Sequence, residues 1–181
     1  MANYCFTTYA IEGKKEVLQK VADAINSGDG YMCTAFKTLG LEFDEERWPR
    51  RAEWERGAKV EERGDVSVLF FTQAYPWEDA LVIDEVLEEL GEPNARIYSL
   101  AQRFEDEIHT TNDHEGKYFP ERHLVFTAHD DDWVYFKTLE EAIAHIRKSY
   151  PALPAEITDI EEMDKFCTSN GEGFSYYEIF E

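Results

Sequence analysis

The chain of 181 residues carries 39 acidic against 18 basic side chains, a formal net charge of −21. Such a surface repels nucleic-acid backbones and anionic membranes, which argues against direct nucleic-acid or peripheral-membrane binding and favours a basic protein partner or none. At 43% hydrophobic and 14% aromatic residues the chain can bury a sizeable core, so wholesale disorder is excluded.

Three cysteines, Cys5, Cys33 and Cys167, without a CxxC spacing argue against a disulfide framework or a zinc cluster. Reduced thiols in a cytoplasmic setting are expected. No basic stretch precedes an apolar run at the start, and no apolar run reaches roughly 18 residues, so neither a signal peptide nor a membrane span is expected.

Tyr4 to Ile11 alternates Tyr4, Phe6, Thr8 and Ala10 against Cys5, Thr7, Tyr9 and Ile11, which predicts a strand that ends at Gly13. Lys14 to Asn26 repeats Val17, Leu18, Val21, Ala22 and Ile25 at helical spacing. A shorter helix is expected over Tyr31 to Leu41, stopped near Gly40, and Glu42 to Arg51 reads as a charged loop. Ala52 to Arg63 predicts a strand bent at Gly57, and Gly64-Asp65 turns it into a second strand, Val66 to Tyr75. That strand is apolar on both faces from Val68 to Phe71, the pattern of a sheet interior. Pro76 to Asp79 form a corner, with proline where a helix can begin. The following helix runs to Leu90 with Trp77, Leu81, Val82, Ile83, Val86, Leu87 and Leu90 as its apolar stripe.

Gly91 to Asn94 stop that helix. Strands are expected at Arg96 to Phe104 and Glu107 to Thr111, then a turn over Asn112 to Gly116. A hairpin follows, Arg122 to Ala128 with Trp133 to Phe136. Thr138 and Glu141 form a capping box for a helix to about Ser149. Pro151 and Pro154 read as a linker. A last helix, Thr158 to Phe166, is capped by Thr158 and Glu161, and a terminal strand covers Phe174 to Phe180.

The order through residue 104 predicts an α+β fold of the ferredoxin-like split βαβ type, an antiparallel sheet with both helices on one face. The later hairpin, helix and strand are expected to extend this sheet or to cover its other face. Residues 1–150 would form this ferredoxin-like sandwich with its added hairpin and helix. Residues 151–181 would be a helix-strand extension packed on the same domain.

No constellation of catalytic residues stands out, so no enzymatic role, cofactor or metal is expected. His109 and His114 lie near Asp113 and Glu115, but this spacing forces no convergence of three or four ligands. No Gly-x-Ser-x-Gly elbow occurs, and no glycine-rich loop leads from a strand into a helix. Tyr75, Trp77, His109 and Tyr118 are the candidates for a pocket on the open sheet face. The sharper feature is charge distribution. Between Arg63 and Arg96 there is no Lys or Arg, whereas Glu78, Glu85, Glu88, Glu89 and Glu92 fall on the helix side opposite its apolar stripe. Residues 155–181 add eight acids against Lys165 alone. This patterning suits a non-enzymatic binding module, a monomer or weak dimer, whose acidic face meets a basic protein. The alternatives are an acidic DNA mimic that inhibits a DNA-binding protein, and a small-molecule binder or enzyme using the open sheet face.

The run Phe70-Phe71-Thr72-Gln73-Ala74-Tyr75-Pro76-Trp77 with its acidic helix, and the stretch Glu107 to Gly116, resemble the YubB-like ferredoxin-like domain family. Members carry Thr-Ala-Trp-Ser-Pro-Pro at this corner. Here the aromatic and the proline are present but rearranged, and the family's Asn-Trp-Gly-Thr-Lys-Trp motif is absent. The likeness spans roughly residues 66 to 116. It implies the ferredoxin-like fold and a mobile-element or gut-bacterial context; the family's function is not established, and the likeness transfers no catalytic residue.

Overall fold

The alternation at the start of the chain becomes the middle strand of a sheet. The computed structural model describes residues 4–48, 51–76, 82–103 and 108–180. Its first elements are β1 (Tyr4–Gly13), α1 (Lys15–Ser27), α2 (Met32–Leu39), β2 (Glu53–Trp54), β3 (Lys59–Arg63), β4 (Val66–Pro76), α3 (Val82–Glu89), β5 (Arg96–Arg103) and β6 (Ile108–Thr111). The strands form one antiparallel sheet in the order β2-β4-β1-β5-β6, with β3 also on β4. The proposed corner and helix start, Trp77 to Leu81, lies outside the described residues.

Direct cross-strand partners share a sheet face. The pairs Ile11↔Leu69, Tyr9↔Phe71, Thr7↔Gln73 and Cys5↔Tyr75 therefore define one face. Tyr9, Ile11, Leu69, Phe71 and Tyr75 share a core with the inward residues of all three helices, among them Leu18, Val21 and Ile25 of α1, Phe36 of α2 and Leu87 of α3. Each fully buried large side chain there contributes about 1.5–3 kcal/mol. Phe70 points to the other face, away from Leu87, because successive strand residues alternate. The charged loop before β2 is anchored by aromatics: Phe43 and Trp48 pack on Phe36, with ring centroids 5.4 and 4.9 Å away.

The strand expected over residues 52–63 is interrupted. Trp54 faces Gln73 and Lys59 faces Phe70, so four residues, 55–58, stand opposite two. This is a wide bulge at Gly57, whose φ of 108° lies in a region that L side chains rarely adopt.

The chain divides into two compact units, Met1–Asp113 and His114–Glu181. The second contains β7 (His123–Thr127), β8 (Val134–Phe136), α4 (Leu139–Ser149), α5 (Ile160–Ser169) and β9 (Phe174–Glu178). Its antiparallel sheet has the order β8-β7-β9. The later elements therefore do not add strands to the first sheet. The terminal strand pairs with β7, and α4 and α5 share one core with it through Val125, Ala142, Ile146, Met163 and Cys167. The prolines at 151 and 154 consequently lie inside this unit and mark no boundary. The Arg147 guanidinium holds that segment by donating to the carbonyls of Pro154, Ala155 and Ile157.

The capping box of α4 is present, with the Thr138 hydroxyl accepting from Glu141 N–H and the Glu141 carboxylate accepting from Thr138 N–H. The expected box on α5 is displaced by one residue. Asp159 is the N-cap and accepts from Glu162 N–H at 3.0 Å, leaving Thr158 one residue before the cap. Asp is at least as good an N-cap as Thr, and the shift turns Ile160 and Met163 toward the core. Among the described residues, no helix is long and apolar enough to cross a membrane.

Candidate functional site

Helix α3 keeps its apolar side in. Val82, Ile83, Val86 and Leu87 are buried, while Asp84, Glu88 and Glu89 are exposed. None of these three acids makes an ion pair with a described residue. Of the five carboxylates expected on this face, Glu88 and Glu89 are placed there. Glu78 lies outside the described residues. Glu85 is half-buried and paired with the Arg47 guanidinium from the loop before β2.

Glu92 does not belong to that face. Gly91 adopts φ 81° after the helix, Gly91 N–H donates to Glu88, and Glu92 N–H donates to the Leu87 carbonyl at 2.8 Å. That reversal carries Glu92 back over the end of β1. Its side chain is only 9% exposed and meets the Lys14 ammonium at 2.8 Å. The run without Lys or Arg therefore is not left without counter-charge: Lys14 and Arg47 supply it from distant positions. Neither contact is visible in the local charge pattern.

Of the four pocket candidates, Tyr75 and His109 lie on opposite faces of the first sheet. Tyr75 is buried on the helix side of the sheet, opposite Cys5. His109 is fully buried on β6 opposite Gln102, and Gln102 faces Phe6, so His109 occupies the other side. Tyr118 belongs to the second unit. Trp77 lies outside the described residues. Among the described residues, no three His, Cys, Asp or Glu side chains are grouped as metal ligands.

Two polar arrangements were missed by sequence reasoning. In the first unit, Trp54 Nε1–H donates to Gln73 Oε1 at 3.0 Å, and Gln73 Nε2–H donates to the Tyr9 hydroxyl at 3.4 Å. All three residues are fully buried. In the second unit, His145 Nε2 lies 3.1 and 3.0 Å from the two Asp130 oxygens, and Asp130 also accepts from Thr127 N–H at 2.8 Å. Burial pushes the Asp130 pKa up, but the hydrogen bonds from His145 and Thr127 outweigh it and hold the carboxyl below the ordinary carboxylate range. The acid run at this hairpin tip was the signal, since a turn Asp often accepts from nearby backbone N–H. Burial raises the Cys167 thiol pKa, which disfavours the nucleophilic thiolate.

Clefts are shallow. One of about 180 Å³ lies at the bulge and is lined by Thr8, Thr72, Glu55, Arg56, Phe70 and neighbouring residues. One of about 510 Å³ runs along α1, α2 and the end of α3, over Ala24, Leu39 and Leu90. Comparison with known proteins returned no match: no family model, curated protein or solved structure is similar to this chain.

Proposed function

We propose that this chain is a non-enzymatic binding module whose first unit is ferredoxin-like and whose α3 face docks a basic protein surface. The single observation that carries this reading is the exposure of Asp84, Glu88 and Glu89 on one side of a helix anchored by its other side, with no ion pair to a described residue. Uncompensated carboxylates on a rigid element attract a cationic surface and steer its approach. The ferredoxin-like assignment rests on the antiparallel order β2/β3-β4-β1-β5 with helices after β1 and β4. A YubB-like relationship belongs to the same proposal and rests on the corner run that includes Thr72, Tyr75 and Pro76.

The test is affinity capture with the wild-type chain and with Glu88→Lys/Glu89→Lys, at low and high salt. A basic protein retained at low salt, released at high salt and lost with the reversed pair is the expected result. Capture indifferent to both salt and the reversal would remove the reading.

A further inference from the structure

The bulge between β2 and β3 is built rather than accidental. The Asn26 carboxamide, from the last turn of α1, accepts from Gly57 N–H at 2.9 Å and donates to the Ala58 carbonyl at 2.7 Å. Glu55 N–H donates to the Thr72 carbonyl at 2.8 Å, so the chain leaves the ladder and returns to it under restraint. An edge bulge held in this way re-aims side chains. Here Glu55 and Arg56 line the 180 Å³ cleft together with Thr8, Thr72 and Phe70, which belong to the sheet face opposite the helices. Thr8 and Thr72 are cross-strand partners with hydroxyl oxygens 3.4 Å apart.

The charges in the cleft are available. Both Glu55 and Arg56 are exposed, and neither side chain is hydrogen-bonded or in a close ion pair with a described residue, although the Arg56 guanidinium is near enough to Asp29 to help lower that carboxyl's pKa. The neighbouring cations are different. Lys59 and Arg63 flank the Phe70 ring at 5.6 and 4.8 Å and are both tied to Glu61, at 2.7 and 2.9 Å. That leaves, on adjacent residues, a guanidinium and a carboxylate without a close hydrogen-bonded partner among the described residues, together with two hydroxyls and an apolar wall.

We infer that the bulge cleft binds a small zwitterion, an α-amino acid with an apolar side chain. Arg56 takes the carboxylate through its planar pair of donors. Glu55 takes the ammonium, the Thr8 and Thr72 hydroxyls supply further polar contacts, and the side chain lies against Phe70. A simple anion would meet repulsion from Glu55, and a simple cation would meet it from Arg56; a zwitterion meets neither. The cleft has room for several waters, or for one ligand of this size.

The experiment is an amide NMR titration of the full ¹⁵N-labelled chain with L-leucine, and with N-acetyl-L-leucine and L-leucinamide as single-charge controls. Saturable shifts centred on Thr8, Gly57 and Thr72 are expected, with a dissociation constant on the order of 1 mM or below. Each control should bind roughly ten- to a hundredfold more weakly, as should Arg56→Gln and Glu55→Gln with leucine itself. Both variants are at exposed positions, and unchanged spectra elsewhere would confirm that they fold. No saturable shift at the bulge would overturn the assignment. So would equal binding of leucine and either control, or shifts that survive Arg56→Gln.

Discussion

Replacing Gln73 by leucine should destabilise the first unit through a hydrogen bond rather than through packing. Gln73 sits on β4 between Trp54 and Tyr9, and all three are fully buried. Leucine is close in size, so little cavity forms. What is lost is the acceptor 3.0 Å from the Trp54 indole N–H and the donor 3.4 Å from the Tyr9 hydroxyl. A buried donor left without an acceptor costs about 1–3 kcal/mol, and the gain from an apolar side chain offsets part of it. The Tyr9 hydroxyl loses its contact with Gln73 as well, so the net loss expected for Gln73→Leu is about 1–3 kcal/mol. The mechanism is separable by a double-mutant cycle. Trp54→Phe removes the donor, so in that background Gln73→Leu should cost about 1–2 kcal/mol less than in the wild type. Urea unfolding should be followed on NMR cross-peaks of residues 4–103, because the chain has two units and a global probe mixes their transitions. An identical cost of Gln73→Leu in both backgrounds would show that the indole hydrogen bond is not the source.

Three further outcomes follow from particular contacts. Lys14→Ala leaves the Glu92 carboxylate buried without its cation. Because Lys14 is itself 66% exposed, the expected loss is about 1–2 kcal/mol, below that for a fully buried pair. Glu88→Ala should stay within about 0.5 kcal/mol, and equal effects of the two in urea unfolding would contradict the inward placement of Glu92. On α5, Asp159→Ala should cost about 1 kcal/mol and Thr158→Ala less than about 0.5, since only the former accepts from Glu162 N–H; the reverse order would restore the earlier register. Asp130 has a folded pKa below its unfolded value. Its contribution is thus fully present above the unfolded pKa of about 3.9 and is lost as pH falls through the folded value. Asp130→Asn should lower the neutral-pH stability of the second unit and flatten its decline in acid below about pH 5. An unchanged acid slope would argue against the His145–Asp130 tie.

Periodicity alone determined much of this protein. The two-residue alternation of Tyr4 to Ile11, the helical spacing of Leu18, Val21 and Ile25, the apolar run Val68 to Phe71 and the Thr138–Glu141 box are local signals, and local sterics and hydrogen bonding are enough to express them. Even the kink at Gly57 was legible, because a glycine inside a strand marks a departure from the ladder. The charge assignment was only half legible. Helical geometry places Glu88 and Glu89 outward, but whether an acid is neutralised depends on what arrives from far along the chain. Lys14 reaches Glu92 and Arg47 reaches Glu85 only once β1 and the loop before β2 are folded against the α3 region. The register that puts Tyr75 and His109 on opposite sides of the sheet is likewise a property of strand pairing. So is the division into two units, which follows from β7 pairing with β8 and β9 and not with a strand of the first sheet. Hydrogen-bond partners across a sheet are chosen by the whole packed arrangement, and no short window of residues contains them.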